Sequence, residues 1–128
     1  MAEALGPKRA ALSYPGKRLL DASLVLPGSS DQPVAPGRPL DVMQAFVERR
    51  TASGELYGPQ DRLTPAEALY AYTAGSAAAT GWAGRKGQVM PGQLADFALL
   101  SHDPLTTAFT DISVDATIVG GELRYGTI

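Results

Sequence analysis

An aspartate that follows a short apolar segment is the residue of this sequence best suited to chemistry. Asp31 closes the stretch Gly28-Ser-Ser-Asp31, which follows the apolar run Ala22–Pro27. A carboxylate can take up a proton during catalysis when it lies within hydrogen-bond reach of the reacting group. Clusters of Ser, Asp and Pro are equally typical of turns, because these side chains bond to nearby backbone groups. On these residues alone, Asp31 is either functional or a turn residue.

Other kinds of site find little support in the sequence. Ser29 and Ser30 lie in a Gly-Ser-Ser-Asp pattern, which differs from the Gly-x-Ser-x-Gly pattern of a serine nucleophile. The chain has no cysteine, which excludes disulfides, thiolate metal sites and cysteine nucleophiles. The glycines between residues 81 and 92 are not followed by the Gly-Lys-Ser/Thr of a phosphate-binding loop.

Two further titratable residues have structural interpretations. His102, the single histidine, lies in Leu100–Pro104 without companion metal donors nearby and is expected to be a solvated loop residue. Asp96 stands at the entry to an apolar stretch, where its carboxylate is expected to fix backbone N–H groups of the turn before a strand.

Charge and hydropathy limit the partners and the compartment. The formal net charge of −2 gives no basis for binding nucleic acid or an anionic membrane. No apolar run approaches the roughly 20 residues needed to span a bilayer. The first residues lack the apolar centre of a signal peptide, so we expect a cytoplasmic protein.

Helical patterns occupy the first two thirds of the chain. Residues 2–13 are predicted to form a short helix, and Ala22–Pro27 a short buried strand. Leu40–Arg50 is predicted to be a helix with one apolar face, formed by Leu40, Met43, Phe46 and Val47.

A second helix is predicted to begin at Thr64, where Thr64-Pro-Ala-Glu67 matches a capping box. Gly75 is predicted to separate this helix from a short one over Ser76–Thr80.

The pattern changes to strands after Gly87. Strands are predicted over Asp96–Leu100 and Val114–Val119. Gly120-Gly121 is a two-residue hairpin turn signal that joins the second of these to Leu123–Tyr125.

Three stretches in this order, Leu19–Pro33, Leu63–Ala78 and Gly87–Tyr125, resemble the C-terminal part of the amidohydrolase superfamily. The resemblance is to its amidohydrolase-3 family, the branch of the bacterial YtcJ-like hydrolases. Such enzymes are metal-dependent hydrolases of C–N bonds in small molecules.

The resemblance implies an α/β fold, a TIM barrel with a small composite β-sandwich built from both chain ends. Ala22–Pro27 would be the last barrel strand. Residues 1–83 would be a remnant of the barrel, and residues 84–128 the C-terminal part of the sandwich. Because a whole barrel needs about 250 residues, the chain of 128 residues is expected to be a C-terminal fragment.

The resemblance also implies a role for Asp31. Ser30-Asp31 matches a Ser-Asp pair at the mouth of the last barrel strand, although the family's usual Gly-Ser-Asp has one serine fewer. By this match Asp31 is a metal ligand and the catalytic base. It would take a proton from the water that a divalent metal, zinc, activates, and pass it to the leaving nitrogen.

The remaining metal ligands implied by the resemblance are absent from the sequence. The family uses a His-x-His pair and further histidines, whereas this chain has one histidine. Because catalytic zinc needs about three protein ligands, we expect the isolated chain to hold no metal and to be inactive. Its expected partner is the missing N-terminal part, or a second copy of the chain.

Two alternatives remain open. The chain could be a non-catalytic scaffold or oligomerisation module, whose exposed apolar residues, such as Leu24, Val25 and Leu26, would find a partner. It could also be one half of a split hydrolase, in which a second polypeptide supplies the histidines.

Overall fold

The computed structural model describes residues 2–128, which form a helical part followed by a three-stranded sheet. Helix α1 spans Ala2–Ala10 and is kinked at Gly6, where φ is 71° and Pro7 follows. Helix α2 spans Gly16–Asp21. The helix predicted over residues 2–13 thus ends three residues earlier, at Ala10. Helix α2 was not predicted, because only two of its six residues are apolar.

The segment Ala22–Pro27, predicted to be a buried strand, belongs to no sheet. Ala22 and Ser23 form a turn at the end of α2, with a φ of 59° at Ser23, and Leu24–Pro27 has no regular secondary structure. Leu24 and Val25 are 54% and 50% exposed. A strand requires a neighbouring strand to satisfy its backbone groups, and no described residue range pairs with this one. Its backbone N–H bonds at either end go to helices instead, from Leu24 to Leu19 and from Gly28 to Ala71.

Helix α3 spans Pro39–Glu48 and confirms the predicted apolar face. Leu40 and Met43 are buried, and Phe46 and Val47 pack against the same core. The helix ends two residues earlier than predicted, because Arg49 adopts a left-handed conformation with φ of 54°. The Arg49 side chain is buried and donates hydrogen bonds to the carbonyl oxygens of Ser13 and Tyr57.

Helix α4 spans Pro65–Tyr70 and begins with the predicted capping box. The Thr64 hydroxyl accepts the Glu67 N–H at 3.2 Å, and the Glu67 carboxylate accepts the Thr64 N–H at 2.8 Å. The predicted break at Gly75 is absent. A π-helical turn over Ala71–Gly75 carries the chain into helix α5, Ser76–Ala79, and Gly75 is helical with φ of −63°.

The sheet is antiparallel in the order β1-β2-β3, with strands at Phe97–Leu100, Val114–Val119 and Glu122–Gly126. The two-residue hairpin turn is confirmed at Gly120 and Gly121. Both have positive φ, 61° and 83°, which is the conformation that favours glycine in a tight hairpin.

One core joins the helices to the sheet end of the chain. Phe109, 1% exposed, starts a 3₁₀ turn before β2, and its N–H donates to the Gln44 side chain of α3 at 2.7 Å. The core thus draws on residues from both sides of residue 84: Leu40, Met43, Leu63, Ala68, Phe109 and Ile112. Over residues 2–128, no helix has the length and apolar character to cross a membrane.

Candidate functional site

Asp31 lies on an exposed loop whose conformation is stabilised by hydrogen bonds that do not involve its carboxylate. Its φ is 56°, its N–H donates to the Ser29 hydroxyl at 3.2 Å, and its carbonyl oxygen accepts the Val34 N–H at 2.8 Å. The carboxylate itself accepts no hydrogen bond from the described residues. The turn is therefore built by Ser29 and the backbone, and the Asp31 carboxylate is free for another role.

The same loop borders a groove of about 440 Å³ between itself and helix α3. Ser29 and Ser30 line one side of the groove. Arg49 lies at its other side with its guanidinium engaged by backbone carbonyls, so it stabilises the wall of the groove. The remaining lining is mostly apolar and includes Val42, Ala45, Phe46 and Tyr57.

The donors needed for a metal centre do not come together around Asp31. Nowhere in residues 2–128 do three or more His, Cys, Asp or Glu side chains cluster so that they could hold a metal ion. His102 lies exposed in the loop after β1, with Nδ1 3.0 Å from the Ser101 hydroxyl. The described residues therefore do not fit a metal site by themselves.

Asp96 has a structural role, although at a different turn from the predicted one. Its carboxylate accepts the N–H of Gly120 at 2.8 Å and pairs with Lys86 at 3.0 Å. It therefore fixes the β2–β3 hairpin turn rather than the turn that precedes its own strand. The Gly120 N–H, and next the Lys86 ammonium, lower the pKa of Asp96 below its ordinary value.

A titration should detect this contact. We expect the Gly120 amide proton shift to follow Asp96 with a midpoint below 3.8, the ordinary pKa of aspartate. Because the folded pKa is lowered, the contact stabilises the hairpin above the unfolded pKa and is lost as pH falls through the folded one. In Asp96→Asn, the NMR titration should no longer show this pH-dependent change in the Gly120 amide proton shift. A Gly120 shift that titrates in both proteins would contradict the assignment.

Comparison with known proteins identifies the family. The profile of the Amidohydrolase family matches residues 1–125. The chain belongs to the Amidohydrolase family. Among relatives, the N-substituted formamide deformylase of Arthrobacter pascens is 32% identical over 115 residues, covering 88% of this chain and 21% of that protein. The putative amidohydrolase YtcJ of Bacillus subtilis (strain 168) is 29% identical over 127 residues, covering 94% and 24%.

This amidohydrolase chain thus spans less than a quarter of the length of these two relatives. Two solved structures are similar to the chain. An uncharacterized metal-dependent hydrolase from Pyrococcus horikoshii OT3 is 28% identical with a TM-score of 0.73, covering 83% of this chain and 22% of that one. An amidohydrolase from Thermotoga maritima MSB8 shares the fold at 18% identity, with a TM-score of 0.66 and coverage of 86% and 25%.

An ion pair with one buried partner is not predicted by the sequence. The Asp61 carboxylate has no exposed side-chain surface and receives Arg18 through two short bonds, Nε to Oδ1 at 2.9 Å and Nη2 to Oδ2 at 2.7 Å. The guanidinium holds the pKa of Asp61 below its usual range. The pair ties α2, which precedes the Asp31 segment, to the turn before α4. Its partners are 43 residues apart, so no local pattern reveals it.

Proposed function

We propose that this chain supplies the Asp31 loop to the active site of a metal-dependent amidohydrolase. The observation that carries the proposal is the state of Asp31, whose carboxylate is exposed and unengaged on a loop that Ser29 and the backbone hold. The carboxylate of a turn residue would accept hydrogen bonds from local N–H groups. The family of the chain and its metal-dependent structural neighbour support the class of reaction.

The reaction we propose is hydrolysis of a C–N bond in a small, non-peptide amide. Water adds to the carbonyl carbon, the C–N bond breaks, and the nitrogen leaves with a proton. Asp31 takes the proton from the attacking water and delivers it to the leaving nitrogen, the work of a general acid–base group. N-substituted formamides are the substrate class to test first, since a relative is named for them. One water and one such formamide give formate and an amine.

The segment Ala22–Pro27, which pairs with no strand of the described chain, suggests where the remainder of the enzyme attaches. We propose that this segment is the last strand of a TIM barrel whose neighbouring strands lie outside the chain. Its exposed Leu24 and Val25 would then be covered by the barrel. In this assignment residues 1–83 belong to the barrel and residues 84–128 to the C-terminal part of a composite β-sandwich.

The metal, which we propose to be zinc, needs donors from outside this chain as well. The relatives are longer than this chain, and their additional length would supply these donors. The term "complete enzyme" means residues 1–128 together with that additional part, either in one polypeptide or as two. Elemental analysis after dialysis should find no stoichiometric zinc on the chain alone and stoichiometric zinc on the complete enzyme. In Asp31→Asn the complete enzyme should retain less zinc.

The control for that variant is Asp111→Asn, which changes an exposed aspartate in a 3₁₀ turn of the described chain. It should retain zinc like the unchanged protein. Stoichiometric zinc on the chain alone, or equal retention in Asp31→Asn, would contradict the proposal.

Exposed apolar side chains favour a second candidate, a non-catalytic scaffold that binds a partner or a second copy. Besides Leu24 and Val25, the strands expose Leu99, Val119 and Leu123. Light scattering and zinc analysis separate the candidates. A scaffold would self-associate and gain neither zinc nor activity from the complementing part, whereas half of a split hydrolase would gain both.

A further inference from the structure

The π-helical turn Ala71–Gly75 departs from regular helix where the helix meets the segment that leads to Asp31. A π turn is rare, because it forms i→i+5 hydrogen bonds in place of the i→i+4 bonds of the α-helix. Such turns often occur at functional sites. Here the turn joins α4 to α5, and both its hydrogen bonds and its steric contacts involve Leu26–Gly28.

A hydrogen bond fixes the N–H of Gly28, and a hydroxyl lies beside its carbonyl. The Ala71 carbonyl oxygen accepts the Gly28 N–H at 2.8 Å and the Ser76 hydroxyl at 2.8 Å. The Ser76 oxygen also lies 3.5 Å from the Gly28 carbonyl oxygen. One helix carbonyl thus holds a segment that has no strand partner in the described chain, and a half-buried hydroxyl bonded to the same carbonyl lies against that segment.

Two glycines allow the helix and the Leu26–Gly28 segment to approach closely. A Cβ at Gly75 would overlap the carbonyl oxygen of Leu26, and a Cβ at Gly28 would overlap the ring of Tyr72. Neither glycine has a positive φ. Glycine is therefore needed at both positions for close approach, and not for backbone conformation.

The segment Leu26–Gly28, which the helix contacts, is short and leads directly to Asp31. After Gly28 the chain enters the loop in which the Ser29 hydroxyl accepts the Asp31 N–H. A displacement of Gly28 would therefore be passed to the Asp31 carboxylate. Small displacements matter for catalysis, since a misplacement of about 1 Å can cost about a hundredfold in rate.

We propose that the π turn Ala71–Gly75 and Ser76 form a clamp that positions Asp31 for catalysis, with Ser76 as a positioning residue. The inference rests on the proposed function for the role of Asp31. The clamp itself rests on the contacts of Gly28 with Ala71 and of Gly75 with Leu26.

Two variants weaken the clamp in different ways. Gly75→Ala forces the helix away from Leu26, and Ser76→Ala removes the hydroxyl without adding bulk. The matched controls are Gly16→Ala, where an added Cβ would find its nearest neighbour at an ordinary 3.5 Å, and Ser13→Ala, which removes a hydroxyl bonded to the Arg9 carbonyl of α1. Ser76→Thr restores the hydroxyl and serves as the rescue variant.

The first readout is hydrogen exchange of the Gly28 amide in residues 1–128. We expect exchange to accelerate about tenfold in Gly75→Ala and Ser76→Ala, because each variant shifts the helix and weakens the bond from the Gly28 N–H to the Ala71 carbonyl by about the contribution of one hydrogen bond. Ser76→Thr and both controls should exchange like the unchanged chain. Unchanged Gly28 exchange in both clamp variants would overturn the clamp.

The second readout is the kinetics of the complete enzyme on an N-substituted formamide. The clamp variants should lower kcat by about tenfold to a hundredfold with little change in KM, and Ser76→Thr should recover kcat. Full kcat in the clamp variants, with Asp31→Asn inactive, would overturn the positioning role alone. An active Asp31→Asn would overturn the proposed function and the positioning role together.

Discussion

Replacing Asp31 with Asn should lower kcat of the complete enzyme for amide hydrolysis by about 10²–10⁴-fold, the usual contribution of a general acid–base group. Asparagine has nearly the size of aspartate but cannot take up the proton of the attacking water. The change should leave the fold intact, because the Asp31 carboxylate accepts no hydrogen bond from the described residues and the loop is held by the Ser29 hydroxyl. The measurement is steady-state hydrolysis of N-substituted formamides.

Three controls separate a catalytic effect from loss of structure. Asp111→Asn should leave kcat unchanged. Asp31→Glu keeps the carboxylate but moves it by one methylene, so it should retain more activity than Asp31→Asn. Circular dichroism should be the same for all three variants. A folded Asp31→Asn enzyme with full activity would show that Asp31 is not the catalytic base.

Features specified by neighbouring residues were predictable from the sequence. The apolar face of α3 follows from helical spacing, and the capping box at Thr64 follows from four consecutive residues. The hairpin at Gly120-Gly121 follows from two consecutive glycines. In each of these features, the interacting residues lie close together in the sequence. The family was predictable for a related reason, since Leu19–Pro33, Leu63–Ala78 and Gly87–Tyr125 keep recognisable order and spacing.

Features that depend on distant contacts were not predictable. The pairing of Arg18 with Asp61 and the clamp on Gly28 each join groups more than 40 residues apart. Gly75 illustrates the error this causes. Glycine near a helix end suggests a terminus, but here it gives the room in which the helix approaches Leu26. Ala22–Pro27 pairs with no strand of the described chain for a similar reason, because an apolar pattern does not specify which strands lie beside it.

The buried Asp61 should contribute to the stability of the described chain through its pairing with Arg18. We expect Asp61→Asn to lower the free energy of unfolding by about 2 kcal/mol, the range for hydrogen bonds to charged groups. Removing one partner of a fully buried pair costs about 3–5 kcal/mol. The smaller figure applies because only Asp61 is buried, whereas the Arg18 side chain is 44% exposed and can turn to water when its partner is removed.

The dependence of this effect on pH gives the sharper test. The folded pKa of Asp61 lies below its ordinary value of 3.8 because Arg18 bonds to the carboxylate. Its stabilisation is therefore complete above the unfolded pKa and is lost as pH falls through the folded pKa. Urea unfolding should show a large difference in the free energy of unfolding between Asp61→Asn and the unchanged chain at neutral pH. The difference in this free energy should be smaller at about pH 3. Asp111→Asn should show neither effect. A difference that stays constant with pH would mean that packing, and not the ion pair, accounts for the loss.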